Sequence, residues 1–222
     1  MKVLALSDIH GNWRGLKEVM SREDYDVVLI AGDLSDYSGN VVRVVNTLVD
    51  IVRGRGVKAY TVLGNMDNPD LLSKLSGINE VTVLHGSFKE LNNYLIIGFS
   101  GGLYSPFHTV FEFSDEYLKS LIDEVVSKLG SVNKELLVLS HTPPYNTKVD
   151  VTFNGLHVGS QALREFIEFH NPVLVVCGHI HEGRGVDRIG STLVVNPGPL
   201  LRGYYAVLEL GREVRYELRT LK

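Results

Sequence analysis

The sequence predicts an α/β protein, a four-layer αββα sandwich of two mixed β-sheets flanked by helices, in a single domain over residues 1–222. Three observations point there. Apolar β-branched runs alternate with segments of helical period through the first half. Two runs in the middle are spaced for antiparallel pairing, and the chain ends on closely spaced strand-like runs.

The first strand is expected at 3–6, followed by a helix carrying Leu16, Val19 and Met20 at core spacing and a second strand at 27–30. A helix at 41–52, a strand at 59–63 and a short helix after Pro69 continue this βαβ order, proline suiting a first helical position. The runs at 81–84 and 94–98, with a turn at Asn92-Asn93, read as an antiparallel pair opening a sheet edge or second sheet. Ser114 is a candidate N-cap for a helix over 115–128, which leads to a strand at 136–139. Another helix follows Ser160. The runs at 173–177, 193–195, 205–210 and 214–218 finish the chain, the last ones reading as a meander, with Gly211-Arg212-Glu213 as the final turn.

Bulk properties narrow the function. The 222 residues, 44% of them hydrophobic, can bury one substantial core without a compositional break. A net charge of -4 and the lack of a polybasic run give no electrostatic footprint for nucleic acid. The apolar start at 3–6 runs straight into an acidic motif and is too short for a signal segment or a membrane span, so a cytoplasmic protein is expected. The single cysteine, Cys177, ends an apolar run, which predicts a buried thiol and no intrachain disulfide.

The chemistry is concentrated at strand ends. Asp8 and His10 follow the first strand, Gly32-Asp33 the second and Gly64-Asn65 the third; His141 and Gly178-His179-Ile180-His181 follow two later ones. In layered α/β folds the carboxyl ends of strands converge on one crevice, so ligands scattered along the sequence can meet. Taken singly, an Asp before a helix is an N-cap and a buried His is merely hydrogen-bonded. Together, two carboxylates, an asparagine and four histidines at strand ends have no common structural purpose, whereas two divalent ions about 3.5–4 Å apart need such donors and a bridging anion.

These segments, Asp8-Ile9-His10-Gly11-Asn12, Gly32-Asp33, Gly64-Asn65-Met66-Asp67, Ser140-His141 and Gly178-His179-Ile180-His181, resemble the five ordered motifs of the calcineurin-like metallophosphoesterases. The resemblance implies that Asp8, His10 and His181 hold one ion, that Asn65, His141 and His179 hold the other, and that Asp33 bridges them. It further implies hydrolysis of a small phosphate ester by water or hydroxide held between the ions. Mixed imidazole and carboxylate donors suit Mn, Fe, Co, Ni or Zn, with Mn²⁺ expected to reveal activity in vitro.

The chain departs from many relatives at Met66, where a histidine resembling a general acid stands in them. Methionine donates no proton, so Met66 is read as a packing residue and Asp67 as one that orients a neighbour. That shifts the expectation toward phosphodiesters or activated esters. His157, before the helix that Ser160 opens, is the candidate substitute, and His157, Asn12 and Ser160 are candidate substrate contacts. His108, in a glycine-bearing loop, is a further rim candidate, and His85 and His170 are read as surface residues. The competing readings are a phosphomonoesterase or protein phosphatase of the same fold, and a non-catalytic binding scaffold. All seven ligand positions being filled speaks against the scaffold. The exposed part of the last hairpin could pair with a second copy.

Overall fold

Apolar runs become strands that are covered on both faces. The computed structural model describes residues 1–36, 39–130 and 133–221. In the first sheet β1 (Lys2–Leu6), β2 (Val27–Ala31) and β3 (Lys58–Val62) are parallel neighbours, and β4 (Val81–Val83) extends them beyond β3. The hairpin β13 (Tyr204–Glu209) and β14 (Arg215–Thr220) completes the other edge, with β13 antiparallel to β1. The second sheet runs β11 (Gly185–Ile189), β12 (Thr192–Asn196), β10 (Leu174–Val176), β9 (Glu135–Ser140), β6 (Tyr94–Phe99) and β5 (Ser87–Leu91). A small ribbon pairs β7 (Gly102–Leu103) with β8 (Glu112–Phe113).

Side chains alternate across each strand, as the pleat requires. Val3, Ala5, Leu29 and Tyr60 of one sheet meet Ile96, Leu137, Val176 and Val195 of the other in the central core. On its outer face the first sheet packs Leu4, Leu6, Val28 and Ile30 against α1 (Trp13–Arg22), α2 (Val41–Arg53) and α3 (Leu71–Leu75). The second packs Ile97, Phe99, Val138 and Val175 against α4 (Asp115–Leu129) and α5 (Gln161–His170). Helix, sheet, sheet, helix is the expected four-layer sandwich of mixed sheets. Cover on both faces explains why the central strands read as continuous apolar runs rather than alternating ones.

Three strand assignments differ from the sequence reading. The Asn92-Asn93 turn joins β6 to β5, not to the run at 81–84, which instead pairs in parallel with β3 in the first sheet. The polar Ser87, Lys89 and Glu90 hide β5 from a hydrophobic pattern because it is an edge strand with little to bury. The run at 193–195 likewise joins β10 in the second sheet, so only β13 and β14 form the closing hairpin of the first. The third, β11, is an edge strand whose half-exposed residues carried no apolar pattern.

Cys177 has no exposed surface and lies against the Val195 carbonyl. Burial, followed by the charges of Asp8 and Asp150, pushes its thiol far above the ordinary cysteine range. The folded protein is therefore expected to be inert to a thiol reagent such as dithionitrobenzoate at pH 8, with one equivalent reacting after denaturation. Rapid reaction of the native thiol would contradict this packing. No described helix is long and apolar enough to cross a membrane.

Candidate metal centre

Five strands open toward one side of the molecule. The parallel neighbours β1, β2 and β3 carry Asp8, Asp33 and Asn65 in the turns that follow them, and β9 and β10 carry His141, His179 and His181 in theirs. The two rows are stitched across the sheets. The His179 N–H donates to the Asp8 carboxylate at 3.2 Å, and His141 Nδ1 donates to the Ala31 carbonyl at 2.7 Å. Ser100 Oγ accepts from the Leu63 N–H at 2.9 Å and donates to the Leu84 carbonyl at 2.7 Å.

The turns are tight enough to exclude side chains. A Cβ on Gly64 would lie 2.0 Å from Asp33 Oδ1, and one on Gly178 would lie 1.7 Å from Ser7 Oγ. Asp8, His10, Asp33 and His179 adopt left-handed backbone, with φ of 51°, 45°, 51° and 68°. That conformation costs an L-residue roughly 1–2 kcal/mol, and it persists where surrounding structure over-determines it, most often at functional sites.

Two groups of candidate ligand atoms lie within 4.8 Å of one another: Asp8 with His10 and His181, and Asp8 with Asp33 and His141. Asp8 belongs to both groups, while Asp33 Oδ2 faces His10 Nε2 at 3.6 Å and His141 Nε2 at 3.5 Å. Asp33 thus stands between the two histidines assigned to different ions, which is the position a bridging carboxylate needs. His179 is in neither group; its ring centroid is 5.0 Å from that of His141, and it lines a cavity together with His10, Asp33 and His181.

Hydrogen bonding determines what these atoms present. Glu112 can only accept, so Thr109 Oγ1 donates to it and must itself accept from Asn65, whose Nδ2 lies 2.8 Å away. Asn65 Oδ1 is therefore turned toward His141 Nε2, at 2.9 Å. His141 must donate from Nδ1 to the Ala31 carbonyl, and burial holds its imidazole down to about 3, so the ring is neutral and Nε2 carries a lone pair. Two lone pairs converge with no proton between them, which a cation reconciles. His10 repeats the arrangement: Nδ1 faces the Asp36 carboxylate at 3.1 Å, leaving a buried Nε2 with no hydrogen-bond partner. The residues present fit divalent metal ions.

Charge supports the same fit. Burial, then Asp67 and Asp8, raise the Asp33 carboxyl well above the usual carboxylate range, a penalty that a facing cation removes. Burial also disfavours charge on Asp8, but the hydrogen bond with His181 and the nearby histidines outweigh it and hold this carboxyl at about 2. Asp67 accepts from the Leu34, Ser35 and Gly64 N–H groups at 3.1, 3.0 and 2.9 Å, tying the second and third ligand turns together.

A cavity of about 610 Å³ opens over the centre, lined by ligand candidates together with Met66 and residues 107–110. Three side chains named from the sequence do not line it. Asn12 caps α1, accepting from the Gly15 N–H at 3.0 Å, and donates to the Leu200 carbonyl at 3.0 Å. Ser160 is fully buried, accepts from the Leu163 N–H at 2.9 Å and donates to Asp115. Both are engaged by the fold and neither lines the cavity. His157 is held through Nδ1 by buried Asp150 at 2.7 Å. His108 does line the cavity, whereas His85 is half-buried, accepts from the Ser100 N–H at 3.3 Å and packs against Phe111. Thr109, Glu112, Asp36 and Asp150 escaped the sequence reading because they follow no strand and match no ligand spacing.

The sequence model of the calcineurin-like phosphoesterase family matches residues 1–183. An uncharacterized protein of Methanocaldococcus jannaschii is 31% identical over 204 residues, which span 90% of this chain and 88% of that protein. Among solved structures, a protein of Thermus thermophilus superposes with a TM-score of 0.77 at 21% identity, over 97% of each chain. A dimetal phosphatase from Danio rerio does so with a TM-score of 0.68 at 15% identity, over 99% of this chain and 96% of that one. The two structural similarities speak for the fold; the family match spans every strand-end turn of the centre, and the chain belongs to the calcineurin-like phosphoesterase family.

Proposed function

We propose that this chain hydrolyses phosphate esters at a binuclear centre, with Asp8, His10 and His181 on one ion, Asn65, His141 and His179 on the other, and Asp33 between them. The observation that carries this reading is the convergence of Asn65 Oδ1 and the unprotonated His141 Nε2, 2.9 Å apart, beside Asp33. Two divalent ions, when bound, supply a nucleophile at neutral pH and offset charge on the phosphoryl oxygens. The protein's part is orientation: the Ala31 carbonyl fixes His141, Asp36 fixes His10, and Thr109 fixes the Asn65 amide.

Met66 lines the cavity beside Asn65 but cannot deliver a proton. Among the described lining residues, His108 is the one imidazole outside the ligand set, and we assign proton donation to the leaving oxygen to it rather than to His157. An exposed loop imidazole is a weaker acid arrangement than a buried pair, which favours phosphodiesters and activated esters over unactivated monoesters.

The test is hydrolysis of mono- and bis-nitrophenyl phosphate by metal-stripped protein reloaded with Mn²⁺, Fe²⁺, Co²⁺, Ni²⁺ or Zn²⁺. Metal-dependent turnover is expected, with Mn²⁺ effective and the diester preferred. Inactivity with every ion would defeat the enzyme reading, and a preference for the mono-nitrophenyl ester would reverse the substrate order. Met66→Leu, a swap of similar volume, is expected to change kcat/KM less than about threefold; a large loss in a folded variant would give Met66 a chemical role.

A further inference from the structure

The cavity wall away from the ligands is apolar and fixed in place. Phe107 is 84% exposed and Val110 is 50% exposed, yet both face the cavity that holds the candidate ligands. Large apolar side chains gathered around a polar site are unfavourable in water unless something covers them. The loop that presents them is held at several points. Glu112 accepts from the Ser105 and Thr109 N–H groups at 3.2 and 3.0 Å and from Ser105 Oγ at 2.7 Å. The Phe111 N–H donates to the Asn65 carbonyl at 3.1 Å, and the Asn65 amide donates to Thr109 Oγ1. The loop is thus fastened to a candidate metal ligand through both backbone and side chain. Met66 adds a third apolar surface to the lining. Among the described residues no lysine or arginine lines the cavity, so its wall offers no fixed cation to a second phosphate.

We propose that the site selects phosphate esters whose alcohol part is apolar, alkyl or aryl, and that Phe107, Val110 and Met66 form the surface that recognises it. This rests on the phosphoesterase reading of the centre, which orients the phosphoryl group toward the ligands and leaves the alcohol against the loop. The volume of about 610 Å³ accommodates a chain of several carbons beside the phosphoryl group. Compounds carrying several phosphates lose on both counts, because they gain no cationic partner and leave the apolar wall wet.

The experiment is calorimetric titration of n-alkylphosphonates, methyl through octyl, into the Mn²⁺-loaded protein. Their phosphoryl end is constant and they are not turned over, so chain length alone varies. The dissociation constant is expected to fall about two- to fourfold per methylene until the wall is covered, and this slope is expected to flatten in Phe107→Ser/Val110→Ser protein of unchanged circular dichroism. A dissociation constant independent of chain length in the unmodified protein overturns the proposal, as does an undiminished slope in the folded double variant. A steep slope in a protein that hydrolyses no ester with any divalent ion supports the apolar recognition surface and overturns the phosphoesterase reading instead.

Discussion

Asp33→Asn is expected to lower kcat/KM by at least about 10²–10³-fold and to reduce the bound metal below two equivalents per chain. The side chain keeps its volume and loses its charge. In the native arrangement Asp33 Oδ2 faces both His10 Nε2 and His141 Nε2, so under the proposed assignment a single carboxylate would screen two bound cations from each other. Removing it leaves the repulsion uncompensated, and charge stabilisation of several kcal/mol is at stake at such centres. Asp33 is also costly to keep charged without metal, because it is buried beside Asp67 and Asp8. The metal-free variant is therefore expected to be at least as stable to urea as the metal-free native protein, although much less active. Two tightly bound ions and full turnover in Asp33→Asn would remove Asp33 from the bridging role.

Gly64→Ala is expected to be nearly as damaging with no change in charge. The added methyl would stand 2.0 Å from Asp33 Oδ1 and 2.5 Å from Asp33 Cγ, far inside van der Waals contact. Relief requires moving either the Asp33 turn or the Asn65 turn, and Asp67 binds both through the Leu34, Ser35 and Gly64 N–H groups. Overpacking of this kind costs about 1–3 kcal/mol of stability, and the displaced carboxylate should also lower metal affinity. Urea unfolding together with metal analysis separates the two effects. A variant with native stability and native metal content would mean that this turn is more pliable than its contacts indicate.

The candidate ligands were legible because their signal is local. Asp8, Asp33, His141 and His179 each follow a run of four or more apolar residues and Asn65 a mostly apolar one, most beside a glycine, so residue type and strand end were read together. The same local reading named Asn12 and Ser160 as substrate contacts. Both lie close in sequence to site residues, but helix capping and the Leu200 and Asp115 contacts hold their polar groups elsewhere. β5 and β11 were missed because edge strands need no hydrophobic pattern. The left-handed backbone at Asp8, His10, Asp33 and His179 carries no sequence mark at non-glycine residues.

Apolar periodicity and strand-end chemistry, both properties of short segments, were enough to establish from sequence the layered α/β class and the seven metal-ligating candidates. Contacts between distant segments decided the rest. Sheet pairing placed β4 and β12 in different sheets from those their neighbours in sequence suggested, because a strand's partner depends on which edge is free to bury it. The Glu112, Thr109 and Asn65 chain, and with it the apolar wall over the centre, joins Asn65 to a residue 44 positions away and exists only where folding brings β3 beside the 105–112 loop. Ligand types are written in the chain, whereas the direction in which each lone pair points is set by tertiary hydrogen bonds.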